Sequence, residues 1–283
     1  MMTRPVNGRR RRLFAAQVLF SSMLLCSLKT LSPGLEGEIV SLFVQIRDGD
    51  RVTAGVAMAI PLIRLLFAAW KWSLCLDRFR FRDALLLHWA GEFISLAGPG
   101  SLGNDAYKVA VLKQPKRTIQ LSLGIRLGGL LVAAVLLTLV SVTDFVLGFA
   151  LFFACSLALS VLAGAWLKQR APILLPFLGV AGLNYMVLSF AYFVLIRALT
   201  SPTLELSLVL LVAESWATSL PLTYQGIGVR EAVFSLLGQG VDSGGISLLP
   251  LGALLSITTI LVRLAGAVPL LWQLNQGRAA ENA

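Results

Sequence analysis

The feature that most constrains this chain is a broken helix: between Ser207 and Leu237, an apolar stretch that could cross a membrane is interrupted at Leu220–Glu231, read LPLTYQGIGVRE. Pro221 removes a backbone donor and disfavours helix at Leu220, Gly226 and Gly228 permit left-handed or extended backbone, and Arg230 and Glu231 place ions just past the break. Lipid offers no hydrogen-bond partner, so irregular backbone at membrane depth survives only when buried in protein or lining a watery cavity. The stretch therefore marks a site. A second copy lies at Glu92–Lys108, apolar up to Pro99-Gly100 and charged after it, and Glu92 precedes its proline by seven positions, as Glu214 precedes Pro221. The helices that follow also repeat, with Arg126-Leu127-Gly128-Gly129 in one half and Arg263-Leu264-Ala265-Gly266 in the other. Paired interruptions in corresponding places of two halves point to a transporter binding site.

Composition supplies the membrane that this reading needs. The chain is 57% hydrophobic and 13% charged, with a mean hydropathy of +0.82, whereas charged residues make up about 25% of soluble domains. A net charge of +10 would suit nucleic acid in a soluble protein, but in a polytopic membrane protein basic surplus encodes orientation. No nucleic-acid partner is expected. Cys26, Cys75 and Cys155 all fall inside apolar stretches, which argues against a disulfide framework and reads as small core residues. His88 is the single histidine and has no Cys or carboxylate cluster beside it, so no metal and no cofactor is expected.

An all-α integral membrane protein follows, a single membrane domain over 1–283 with six spans at 13–31, 54–76, 118–142, 145–167, 173–199 and 246–274, and two helical hairpins at 84–112 and 203–240. The arm at 84–98 is too short for a crossing that takes about 20 helical residues. Orientation follows from the 24 Lys and Arg: with a cytoplasmic N-terminus, 15 lie on the inner side, two (Arg47 and Arg51) lie in outer loops, and seven lie within or at the ends of apolar stretches. This satisfies the positive-inside rule. It also requires both hairpins to be re-entrant, the first from the cytoplasm and the second from outside, which makes the two halves an inverted repeat. Arg126 and Arg263 both fall nearer the cytoplasmic side than a perfect inversion would place them. Trp70 and Trp72 are expected at an interface.

Charges at the bilayer centre cost at least about 2.5–3.5 kcal/mol each, so they face a cavity or a partner. The substrate-binding candidates are Lys108, Arg126, Arg230 and Arg263, with Gly100, Gly103, Gly226 and Gly228 bringing bare backbone and helix N-terminal amides to a groove. Glu92, Asp105, Glu214 and Glu231 would orient those cations or bind a coupling proton, and Glu231 is expected to pair with Arg126 or Arg263. The plainer alternative is that these charges pair with one another to lock the hairpins against the spans. Lys29, Lys71 and Arg197 lie near span ends and are expected to snorkel to the interface. Arg64 carries no assignment.

At the two breaks the sequence resembles the lysylphosphatidylglycerol synthase transmembrane-region family. Pro99-Gly100-Ser101-Leu102-Gly103-Asn104-Asp105-Ala106-Tyr107-Lys108 is similar to its Pro-Gly-Ser-x-Gly-Gly-Asp-x-x-Arg signature, and Pro221 with Gly226-Ile227-Gly228-Val229-Arg230-Glu231 to its second, Pro followed by Gly-Leu-Gly-Val-Arg-Glu. Asn104 and Lys108 depart from it; the cation survives but a bidentate phosphate fork would not. The resemblance implies a flippase-like, stand-alone member without the aminoacyltransferase domain, in the cytoplasmic (inner) membrane, with both termini cytoplasmic. The expected function is movement of an anionic phospho- or glycolipid across that membrane. A non-transporting partner of a lipid synthase or glycosyltransferase is the main alternative, and an intramembrane lipid-modifying enzyme is a weaker one; no enzymatic activity is assigned. No nucleotide motif occurs, which disfavours ATP-driven transport.

Overall fold

The computed structural model describes residues 51–76, 79–96, 101–167, 171–197, 203–219, 228–239 and 248–273. The expected first span at 13–31 and both breaks, including Pro99, Gly100, Pro221 and Gly226, lie outside the described residues. Within them every regular element is a helix: α1 (Arg51–Cys75), α2 (Phe81–Ser95), α3 (Ser101–Leu112), α4 (Pro115–Val142), α5 (Phe145–Leu167), α6 (Ala171–Arg197), α7 (Leu204–Ser219), α8 (Val229–Gln239) and α9 (Leu249–Ala265). Among the described residues, four helices are long and apolar enough to cross a membrane: Arg51–Cys75, Pro115–Val142, Leu174–Arg197 and Leu249–Gln273, the last continuing α9 past Gly266. By contrast α2, α3, α7 and α8 have 15, 12, 16 and 11 residues. At about 1.5 Å per residue none reaches the roughly 30 Å of a hydrocarbon core.

Local chemistry sets the helix ends. Pro115 opens α4 at a position whose missing N–H costs nothing, and the chain reverses into it through Lys113, whose φ of 52° is the left-handed conformation common after a helix end. Asp144 caps α5 by accepting from Leu147 N–H at 2.6 Å, and Thr203 caps α7 by accepting from Leu206 N–H at 3.0 Å. On α4, Thr138 and Ser141 return their hydroxyls to the carbonyls of Ala134 and Leu137, which satisfies both in an apolar surround.

Packing follows one scheme in both halves. The helix α2 packs on α1 and α3, and α3 on α4; correspondingly α7 packs on α6 and α8, and α8 on α9. The leading helices α1 and α6 lie against each other, while α4 reaches α6 and α7 as α9 reaches α1 and α2. The core runs along α6, where Tyr185, Leu188, Tyr192, Leu195 and Ile196 meet Leu208 and Leu211 of α7, Phe234 of α8, and Ala57 and Ile60 of α1. Outward surfaces carry large apolar residues such as Leu127, Leu131, Phe190 and Leu271. Water would penalise such a face and lipid does not.

Two expectations fail here for geometric reasons. Residues 70 and 72 are about 200° apart around a helix, so only Trp70 faces outward, while Trp72 is buried under the first hairpin against Leu76, Ala84 and Ile125. Cys155, expected in the core, is exposed on α5.

Candidate functional site

The charged residues at the two breaks assemble into two clusters. In the first, α2 contributes His88 and Glu92, α3 contributes Asn104, Asp105 and Lys108, and α4 contributes Ser122 and Arg126. The Glu92 carboxylate accepts from Asn104 Nδ2 at 2.5 Å and from Arg263 Nε of α9 at 2.7 Å. Asp105 accepts from Arg126 and from Ser122 Oγ, each at 2.5 Å. Lys108, only 2% exposed, places Nζ 2.7 Å from His88 Nδ1 and 4.3 Å from the centroid of the Trp72 ring. An ammonium has only donors, so Nδ1 must accept and the His88 proton resides on Nε2, which faces Glu92 Oε1 at 3.7 Å. Arg263 leaves Nη1 buried with no hydrogen-bond partner among the described residues.

This cluster surrounds a cavity of about 250 Å³ whose lining includes Lys71, His88, Glu92, Asp105, Lys108 and Arg126. Hairpin one is tied to the final helix at several further points: Trp89 Nε1 donates to Val262 O at 2.8 Å, Tyr107 hydrogen-bonds Gln273, and Arg82 stacks over Trp272.

The second cluster is deeper. Glu214 of α7 is fully buried; it accepts from Arg64 Nη1 at 3.0 Å and Arg230 Nε at 2.6 Å, and also bonds Arg64 Nη2 and the Tyr192 hydroxyl. Arg230 continues to Ser256 Oγ at 3.1 Å. Ser256 in turn donates to Glu231 Oε1 at 2.6 Å, and Glu231 Oε2 accepts from Gly228 N–H at 2.6 Å. Gly228 has φ 84°, a conformation that costs glycine little. With Gly228 at the N-cap and Glu231 at the third helical position, this carboxylate closes the reciprocal half of a capping box.

The two clusters are stacked along one seam. On α1, Arg64 belongs to the second cluster and Lys71 to the first; on α6, Tyr192 belongs to the second, while Tyr185 lines the cavity of the first together with Ser215 of α7. Seven residues advance a helix by about 10 Å and return to the same face. The number increases toward the first cluster on α1 and decreases on α6, so these packed helices run antiparallel.

Several expectations for individual residues are corrected by this geometry. Glu231 pairs with neither Arg126 nor Arg263: its oxygens hold the α8 N-terminus and Ser256, while Asp105 and Glu92 take those arginines. Gly228 does not offer its amide to a groove, because Glu231 occupies it. Gly103 does not bare backbone to the cavity either; a Cβ there would stand 2.8 Å from Ser95 Cα, so its role is close approach of α3 to α2. Lys71 does not snorkel but lines the cavity. Lys108 and Arg126 line the cavity at the first hairpin rather than a groove shared by both hairpins, whereas Arg230 and Glu214 belong to the buried second cluster, and Gly100 and Gly226 lie outside the described residues. Residues with no earlier role are Arg64, His88, Tyr192, Ser122 and Ser256. Among the described residues no three His, Cys, Asp or Glu side chains converge as a metal would need.

No family model matches the chain, and no curated protein or solved structure is significantly similar to it.

Proposed function

We propose that this chain moves an anionic lipid across the cytoplasmic (inner) membrane, with the head group entering the cavity at the first broken hairpin while the acyl chains stay in lipid. The observation that carries this reading is a cavity in an apolar helical protein, lined among the described residues by Lys71, Lys108 and Arg126 against Glu92 and Asp105. A cation surplus at membrane depth is unfavourable without an anion to offset it. The second cluster, two arginines with two carboxylates, is balanced and acts as a lock holding hairpin two to α1, α6 and α9.

The topology that fits is six spans with two opposed re-entrant hairpins, both termini cytoplasmic. Four short helices in matched positions, a shared packing scheme in each half and the antiparallel α1–α6 seam support an inverted repeat. The two break signatures that resemble the lysylphosphatidylglycerol synthase transmembrane-region family support lipid as the cargo. Deleting the gene and measuring lipids by mass and by leaflet tests the reading. Changed leaflet distribution with unchanged lipid chemistry is expected; a missing lipid species would favour an enzyme, and an effect only when a synthase or glycosyltransferase is co-expressed would favour a scaffold.

A further inference from the structure

We infer that the cavity at the first hairpin is a phosphate-monoester site in which Lys71 and Lys108 are the two ammonium contacts. The lipid-transport reading bears on this only in naming the source of the phosphate.

The charge inventory distinguishes the two clusters. Among the described residues, four cations stand around the first, Lys71, Lys108, Arg126 and Arg263, and two carboxylates, Glu92 and Asp105. Each carboxylate is bound by an arginine, Glu92 by Arg263 and Asp105 by Arg126. The two positive charges left over belong to the lysines. Lys108 gives one N–H to neutral His88 and rests on Trp72, which fixes the ammonium without neutralising it and leaves two donors. Lys71 has no hydrogen-bond or ion-pair partner among the described residues and lines the same cavity. The second cluster sets Arg64 and Arg230 against Glu214 and Glu231 and has no such excess.

An excess of two matches the ligand. A phosphate monoester carries about −1.5 to −2 near neutral pH, whereas a phosphodiester carries a single charge and would leave one lysine uncompensated. The size agrees: about 250 Å³ is roughly eight times the volume share of one water in the liquid, room for a phosphate with a few waters or a small attached polyol, but not for acyl chains. Ammonium groups also suit this ligand, since they bind phosphate as point charges without demanding the planar geometry of a guanidinium fork.

The test is calorimetric titration of the purified full-length chain in neutral detergent with three probes: short-chain phosphatidate, short-chain phosphatidylglycerol and inorganic phosphate. The wild type should bind phosphatidate about tenfold or more tightly than phosphatidylglycerol, the scale of one charge-assisted contact. Lys71→Gln should cut phosphatidate affinity about tenfold and bring the two lipids within about threefold of each other, while Lys71→Arg, which keeps the charge, should retain the preference. Equal binding of the two lipids by the wild type overturns the monoester assignment and leaves lipid transport standing. Inorganic phosphate bound in a Lys71-dependent way with neither lipid bound upholds the site and removes the lipid reading. Unchanged phosphatidate binding by Lys71→Gln, or no binding of any probe by the wild type, overturns the site.

Discussion

Replacing Glu214 by Gln keeps the shape of the second cluster and deletes the one anion that Arg64 and Arg230 share. The two arginines differ in what water can do for them: the Arg64 side chain is 28% exposed and that of Arg230 is 4% exposed. Arg64 can hydrate when its partner is lost, and Arg230 cannot. Leaving a buried charge uncompensated costs about 3–5 kcal/mol, which at about 2–4 °C per kcal/mol for a larger domain lowers the melting temperature by about 6–20 °C. The second substitution, Arg230→Gln, then removes the stranded charge, so the double variant should be more stable than Glu214→Gln alone, with a coupling of about 0.5–3 kcal/mol. Thermal unfolding followed by intrinsic fluorescence in one fixed detergent measures all four proteins. A double variant whose loss equals the sum of the two single losses would refute the claim that these residues act as one buried unit.

Glu231→Ala loses the cap on Gly228 N–H and the Ser256 contact and should cost about 0.5–2 kcal/mol in the same melt, whereas Glu231→Gln, which keeps an oxygen for Gly228 N–H, should cost less than Glu231→Ala. Gly103→Ala places a Cβ 2.8 Å from Ser95 Cα, and forcing the two arms apart should cost about 1–3 kcal/mol; an unchanged melting temperature would mean that the arms are not closely packed. Cysteines introduced singly at positions 80 and 116 should react with an impermeant reagent from the same side of the membrane. Labelling from opposite sides would make hairpin one a full crossing.

That separate short helices flank each proline, α2 and α3 around one and α7 and α8 around the other, was legible because proline and glycine inside an apolar run interrupt a helix where lipid cannot satisfy the backbone, and the charged residues stood out for the same lack of solvent. Their partners were not legible. Glu92 meets Arg263, and Arg64 meets Glu214 150 positions away, and no helical periodicity carries information across such separations. Arg64 was nevertheless a visible signal, since a charge near the centre of α1 has no interface to reach and must find a counter-ion. Lys71 reads as an interface residue because it lies near the end of α1 in sequence, while in the fold the first hairpin packs against that helix. The seven-residue spacing from Arg64, two helical turns along the same face, was the clue that both point into the protein. An arginine partner for Glu231 is expected because a carboxylate in a groove built for anions needs a cation, but a Glu at the third position after a glycine break is also the signature of a helix cap.

The measurement that most directly tests the central claim is translocation of fluorescent short-chain lipids in vesicles containing the purified chain, read by quenching of the outer-leaflet pool. The account predicts that an anionic lipid crosses faster than in protein-free vesicles, that a zwitterionic lipid does not, and that Lys108→Gln, whose ammonium lines the cavity at the first hairpin, reduces the anionic rate. Equal rates for both lipids, or a Lys108→Gln variant that folds and transports as the wild type does, would contradict it.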